Sequence, residues 1–161
     1  MTTKEVTVTY EQIAQFRGIA ELYLRSADKE TNLYHCVDKM FKKLKKRHER
    51  YIDKQNTARR AHALTDPKTK KLLMTAGSYD YTADGLNKLE TDLRALQYKK
   101  ISFNTEMLDE GEVPDDLKFE FQSANGSIGV CSDYEVRNAF AGIVMPAAES
   151  EEEDEGEEES D

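Results

Sequence analysis

Three histidines and one run of lysines and arginines are the residues whose type and spacing invite a chemical reading. His35, His48 and His62 recur 13 and 14 residues apart. On or beside one helix that interval separates neighbours by about 20 Å, too far to share a metal ion. His48 falls at the edge of an apolar arc, where a packed or rim histidine is the plain role. Acidic residues are plentiful, but no pair stands out from the surface background. There is no Gly-rich phosphate loop, Walker pattern, GxSxG or HExxH in the chain. Cys36 and Cys131 are the only cysteines. Two distant cysteines make neither a disulfide framework nor a zinc site, and Cys36 reads as a small buried hydrophobe. The expectation is a protein that is not an enzyme and uses no cofactor and no metal.

The basic run is the stronger signal. Between residues 39 and 60, ten Lys or Arg stand against two acids, Glu49 and Asp53. On a helical projection Lys39, Lys42, Lys43, Lys45, Lys46, Arg47, Arg50 and Lys54 share one arc. Lys39, Lys42, Lys43, Lys46, Arg47, Arg50 and Lys54 form the candidate face for a phosphate backbone or an acidic protein surface. A solvated helix face is the alternative. No aromatic residue interleaves that arc to stack on bases, so nucleic-acid binding there would be sequence-independent.

The net charge of −9 conceals this face. Residues 148–161, AESEEEDEGEEESD, hold ten acids and no base; the rest of the chain carries 22 acidic against 23 basic residues. A run that cannot bury apolar surface reads as a disordered acidic tail. Solubility, an intramolecular cover for the basic helix, and phosphate mimicry all stay open as its role.

The elements that must position these residues follow from periodicity. Alternation in EVTVTY predicts a short strand, and Thr9 with Gln12 predicts a capping box opening a helix over about Tyr10–Ser26. Ile13, Phe16, Ala20 and Tyr23 make its apolar stripe. Asp28 or Thr31 caps a second helix, from Leu33 to about Ala63, with no Gly or Pro to stop it and a length of roughly 45 Å. Its apolar arc runs through Leu33, Val37, Met40, Phe41, Leu44, His48, Tyr51, Ile52 and Gln55. The short connection predicts an antiparallel hairpin in which Phe16, Ile19 and Tyr23 meet Val37, Met40 and Leu44. The seam thins after Leu44, so the second half is expected to project from the body. Asp66-Pro67 ends the pattern, and an irregular β-hairpin turning at Gly77 follows. Thr82 and Asp84 start a helix with a Leu86, Leu89, Leu93, Leu96 stripe, and a strand follows around Ile101 and Phe103. Asn125-Gly126 predicts a two-residue type I′ turn pairing Phe121 with Val130 and Ser123 with Ile128. That register puts Leu117, Phe119, Phe121, Ile128 and Val130 on one face. Ser132 with Glu135 caps a last helix carrying Val136, Ala139, Phe140, Ile143 and Val144, ending before Pro146.

The stretch GSYDYTADGLNKLETDLRALQYKKISF, behind a long charged helical hairpin, resembles small uncharacterised proteins of tailed bacteriophages. The matching residues are Gly77, Tyr79, Tyr81, Thr82, Leu86, Leu89 and Leu93, then Ile101 and Phe103. The resemblance implies a phage origin and a binding or assembly role; it supplies no catalytic residues.

The expected architecture is α+β: residues 1–147 as one domain, with a helical hairpin at 10–63, a mixed lobe of β-hairpins and short helices at 64–147, and the tail at 148–161. The expected function is a non-catalytic protein-binding module acting on a host or virion protein. Sequence-independent nucleic-acid binding, masked by the tail, is the alternative, and a virion or assembly component is a further one. No apolar run serves as a secretory signal or membrane span, so the expected setting is cytoplasmic, the host cytoplasm for a viral protein.

Overall fold

Val6 and Val8 alternate with polar residues, and the N-terminus is accordingly extended as β1 (Thr2–Thr9) in the computed structural model, which describes residues 1–147. The acidic stretch 148–161, with the disorder expected of it, lies outside the described residues. The Thr9–Gln12 box is made in both directions. Gln12 N–H donates to Thr9 Oγ1 at 3.2 Å, and Thr9 N–H donates to Gln12 Oε1 at 2.7 Å. It opens α1 (Tyr10–Ser26), whose Ile13, Phe16, Ala20 and Tyr23 are all buried.

Thr31, one of the two expected caps, accepts from Tyr34 N–H and starts α2 (Asn32–Lys43). The expected helix to residue 63 is present but not regular throughout: Leu44 N–H still donates to Met40 O at 2.9 Å and His48 N–H to Leu44 O at 3.0 Å. Its regular geometry is interrupted at Leu44 (φ −85°, ψ −3°), and α3 (Lys45–His62) follows. No Gly or Pro marks the interruption. It falls where the chain changes neighbours: α2 packs on α1 and β4 (Lys100–Met107), whereas α3 packs chiefly on α4 (Ala83–Gln97). Contacts with α1 step along it in reverse order. Tyr23 faces Tyr34 with ring centroids 6.4 Å apart, the Arg17 guanidinium lies 4.1 Å from the Phe41 ring, and Tyr10 stacks on Tyr51 at 5.0 Å. Ile19 departs from the expected pairing: it lies beside α5 (Asp133–Phe140) in a groove with Tyr134 and Ala139.

The described residues form α+β structure, five α-helices and three two-stranded antiparallel sheets. One sheet joins β1 to β4, with Val6 opposite Phe103 and Val8 opposite Ile101. Its inner face closes the core over Phe16, Val37, Met40, Leu44, Phe140 and Val144. Buried Thr105 on β4 is satisfied by donating its hydroxyl to the Ile143 carbonyl. A second sheet is the expected hairpin turning at Gly77, β2 (Met74–Thr75) with β3 (Ser78–Tyr79). Both Ala76 (φ 51°) and Gly77 (φ 82°) take the positive φ of a type I′ turn.

The third sheet, β5 (Phe119–Gln122) with β6 (Ile128–Cys131), corrects the expected register by one residue. Phe121 faces Gly129, and Gln122 faces Ile128. Asn125 does not take the positive φ that a two-residue Asn-Gly turn needs; only Gly126 (φ 83°) does. Ser123 N–H instead donates to Ser127 O at 2.8 Å and Gly126 N–H to Ser123 O at 2.9 Å, which leaves three residues in the loop. The Asn125 side chain holds this loop by accepting from Ser127 N–H at 3.1 Å and from Ser123 Oγ at 2.7 Å. A slip of one residue reverses the faces of one strand. Phe119, Phe121 and buried Cys131 turn inward, while Ile128 and Val130, expected inside, are 73% and 49% exposed. Gly129 is what lets the Phe121 ring lie across the strand: a Cβ there would sit 2.3 Å from Phe121 Cζ.

The last helix, α5, is capped by Ser132, which accepts from Glu135 N–H. It ends at Phe140, earlier than expected, because Gly142 (φ 79°) takes a left-handed conformation two residues on. Ile143, Val144 and Met145 are buried from the turn that follows.

Candidate functional site

The seven cations of the expected face share a helical projection but not one fate. Lys39, Lys43 and Arg47 recur every four residues, and that row lies along β4. Lys39 Nζ pairs with Glu106 Oε2 at 2.8 Å, Lys43 Nζ donates to the Asn104 carbonyl, and the Arg47 guanidinium lies 5.6 Å from the Phe103 ring centroid. These three serve the fold, clamping α2 and the start of α3 to the strand edge. Lys42 pairs with Asp38 at 2.9 Å, one turn back on its own helix. Lys54 Nζ is 5.8 Å from the Tyr10 ring centroid, over the Tyr10–Tyr51 stack. Lys46 and Arg50 are exposed and, among the described residues, belong to no ion pair. The structure therefore divides the expected face, leaving Lys46 and Arg50 as its cations without an ion-pair partner among the described residues.

A larger surface continues beyond them. From Ile52 to Ala95 no described residue belongs to the main core. This segment is an arm made of α3, the β2–β3 hairpin and α4. Its helices are held by His62 Nε2 to Asp92 Oδ2 at 2.6 Å and by Tyr81 hydroxyl donating to Arg59 O at 3.2 Å. Gly85, in the first turn of α4, permits this approach, since a Cβ would meet His62 O at 3.0 Å. Thr82 caps α4 by accepting from Gly85 N–H. Of the expected leucine stripe, Leu89 is buried, Leu93 and Leu96 are half-buried and Leu86 is exposed.

The tip is a three-strand-like crossing. Leu64 N–H donates to Asp80 O at 2.8 Å, Asp80 N–H to Leu73 O at 3.0 Å and Leu73 N–H to Leu64 O at 2.8 Å. Asp66 Oδ1 accepts from Lys68 N–H at 2.8 Å, fixing the loop that carries Lys68, Lys70 and Lys71. Leu64, Leu73 and Met74 are exposed here, Met74 at 54%. Alternation puts Leu72 and Met74 on one face of the expected hairpin and Leu73 on the other, and it does not tell which of these faces is left uncovered. The cluster Lys68, Lys70, Lys71 beside those apolar residues was the available signal.

The three histidines stay apart. His35 lies edge-on to Tyr34 with centroids 6.2 Å apart, His62 holds Asp92, and His48 is half-buried beside Arg17. Burial, and then the Arg17 charge, push the His48 pKa below its ordinary value. Burial raises the thiol pKa of both Cys36 and Cys131. Among the described residues no three His, Cys, Asp or Glu side chains converge as a metal site, and no helix is long and apolar enough to cross a membrane. Comparison with protein-family models, curated proteins and solved structures finds no match to the chain.

Proposed function

We propose that this protein is a non-catalytic protein-binding module whose docking element is the arm of α3, the β2–β3 hairpin and α4, and whose partner presents an acidic, partly apolar surface. The observation that carries the reading is the exposure of Leu64, Leu73 and Met74 beside Lys68, Lys70 and Lys71. Clustered apolar side chains set in charge mark contact surfaces more often than scattered ones do. The likeness of residues 77–103 to tailed-phage proteins supports a host or virion protein as the partner, met in the host cytoplasm. Quantitative capture from a bacterial lysate tests this. A Leu73→Asp/Met74→Asp variant should lose a protein that the wild type and a Lys46→Glu/Arg50→Glu variant both retain. Equal capture by all three chains sinks the assignment to the arm tip.

Lys46 and Arg50, exposed and in no ion pair among the described residues, favour a second reading, sequence-independent nucleic-acid binding. Anisotropy with DNA or RNA over a salt series, on the full chain and on a chain ending at Ala147, separates the two. Affinity gained on truncation, falling steeply with salt and lost in Lys46→Glu/Arg50→Glu, supports this alternative. A role as a virion component would appear as this chain in the mass spectrum of purified particles.

A further inference from the structure

We propose that the face of α1 running through Glu11, Gly18 and Arg25, at the edge of the groove between α1 and α5, is a self-association surface, in which α1 packs antiparallel on α1 of a second copy, crossing at Gly18. The groove is lined by Gln15, Gly18, Ile19, Tyr134 and Ala139 among others, and Tyr134 at its rim is 74% exposed. Gly18 is the middle residue of the 17-residue α1. A glycine there costs about 1 kcal/mol relative to alanine. The chain's own packing gives no reason for it, because a Cβ on Gly18 would meet nothing within 4 Å. A second backbone approaching closely along this line does give one.

The charges identify that backbone as another copy of α1. Glu11, Gly18 and Arg25 are seven residues apart and fall within about 20° of one line, opposite the buried stripe. Ala14 and Leu22, both half-buried, flank it. An antiparallel crossing at Gly18 sets Glu11 against Arg25 of the second copy, twice by symmetry, and Ala14 against Leu22. A parallel crossing would set Glu11 against Glu11 and Arg25 against Arg25. In the single chain Arg25 reaches Glu21 at 2.6 Å, an exposed pair that exchanges at little cost. The face of α1 is about 25 Å by 10 Å, and with the flank of α5 each copy covers roughly 400 Å². The total of about 800 Å² is below the ~1,200 Å² of stable complexes, so the dimer is weak and forms with concentration.

Sedimentation equilibrium from about 10 µM to about 1 mM, the range of weak complexes, is the test. The wild type should show a dimer fraction rising with concentration. Gly18→Lys, which points into open space and should melt at or above the wild type, should remain monomeric. Glu11→Arg should weaken the dimer about fivefold to tenfold, and Glu11→Arg/Arg25→Glu should restore it. A wild type that is monomeric throughout, a Gly18→Lys dimer, or a double variant no better than the single one each overturns the proposal. None of these residues lies on the arm, so this surface and the partner-binding reading stand or fall separately.

Discussion

Replacing Gly129 by alanine tests the register of the β5–β6 hairpin. The new Cβ would lie 2.3 Å from Phe121 Cζ and 2.7 and 2.8 Å from its two Cε atoms. Carbon atoms pack at about 3.5–4.0 Å, so the ring must retreat by at least about 1.2 Å. That ring is half-buried against Phe119, with centroids 6.3 Å apart, and adjoins the core. Forced shifts of this kind cost about 1–3 kcal/mol. Alanine recovers about 0.5–1 kcal/mol through the smaller entropy of the unfolded chain. The net loss should be about 0–2.5 kcal/mol by urea denaturation. In a Phe121→Ala background the obstacle is gone, and Gly129→Ala should be neutral or stabilising. The coupling energy of the four-variant cycle should then be about 1–3 kcal/mol. The two-residue Asn-Gly turn would place Phe121 opposite Val130 and give no coupling. An equal effect of Gly129→Ala in both backgrounds refutes the register argued above.

Leu44, fully buried at the junction of α2 and α3, should lose about 2–5 kcal/mol on change to alanine, whereas exposed Lys46→Ala should stay within about ±0.5 kcal/mol. Equal denaturation midpoints for the two variants would contradict the orientation of these helices. His48 is held below its ordinary pKa of 6.5 by burial and by Arg17, so the fold favours its neutral form. As pH falls below 6.5 the unfolded chain takes up the proton first, and stability declines until the lower folded-state value is reached. His48→Gln should flatten the dependence of Tm on pH in that window, and an NMR titration midpoint at or above the ordinary value would reject this. Asp133 is held below the ordinary carboxylate range by the hydrogen bond from Arg137 and then by Leu117 N–H. Its contribution is present above the unfolded value of about 3.9 and lost as pH falls through the folded one. Asp133→Asn should therefore destabilise at neutral pH and match the wild type in strong acid; a difference that persists in acid would assign the effect to packing.

Elements bounded by a local side-chain signal were legible in the sequence. Thr9 with Gln12 and the stripe from Ile13 to Tyr23 located α1 at both ends. Thr82 located the start of α4, and Ile101 and Phe103 marked β4. What escaped depended on partners distant in sequence or on competing local solutions. At Asn125-Gly126 the same dipeptide serves a two-residue or a three-residue loop, and the Ser123–Asn125–Ser127 hydrogen bonds choose the latter. The interruption at Leu44 has no breaker residue because it follows from a change of neighbours, which a helical projection does not contain. That projection also ranks every cation on an arc alike, whereas β4 engages Lys39, Lys43 and Arg47 and leaves Lys46 and Arg50. For α5 the signal was present in Gly142, and the apolar pattern through Ile143 and Val144 outweighed it.

The pairing of β1 with β4 fixes an order of events during synthesis. Thr2 lies opposite Met107, and Thr9 opposite Lys100, so β1, once it has left the ribosome, must wait for about a hundred more residues. At about 5–20 residues per second that wait is roughly 5–20 s, long against the microseconds in which α1 and α2 can form. Closing so large a loop is also entropically costly, and it becomes favourable only once the intervening elements have shortened the path between its ends. The N-terminal strand should thus be among the last pieces to acquire protection on the nascent chain. Its Thr-rich outward side, Thr3, Glu5, Thr7 and Thr9, gives it little apolar surface to stick to anything else while it waits.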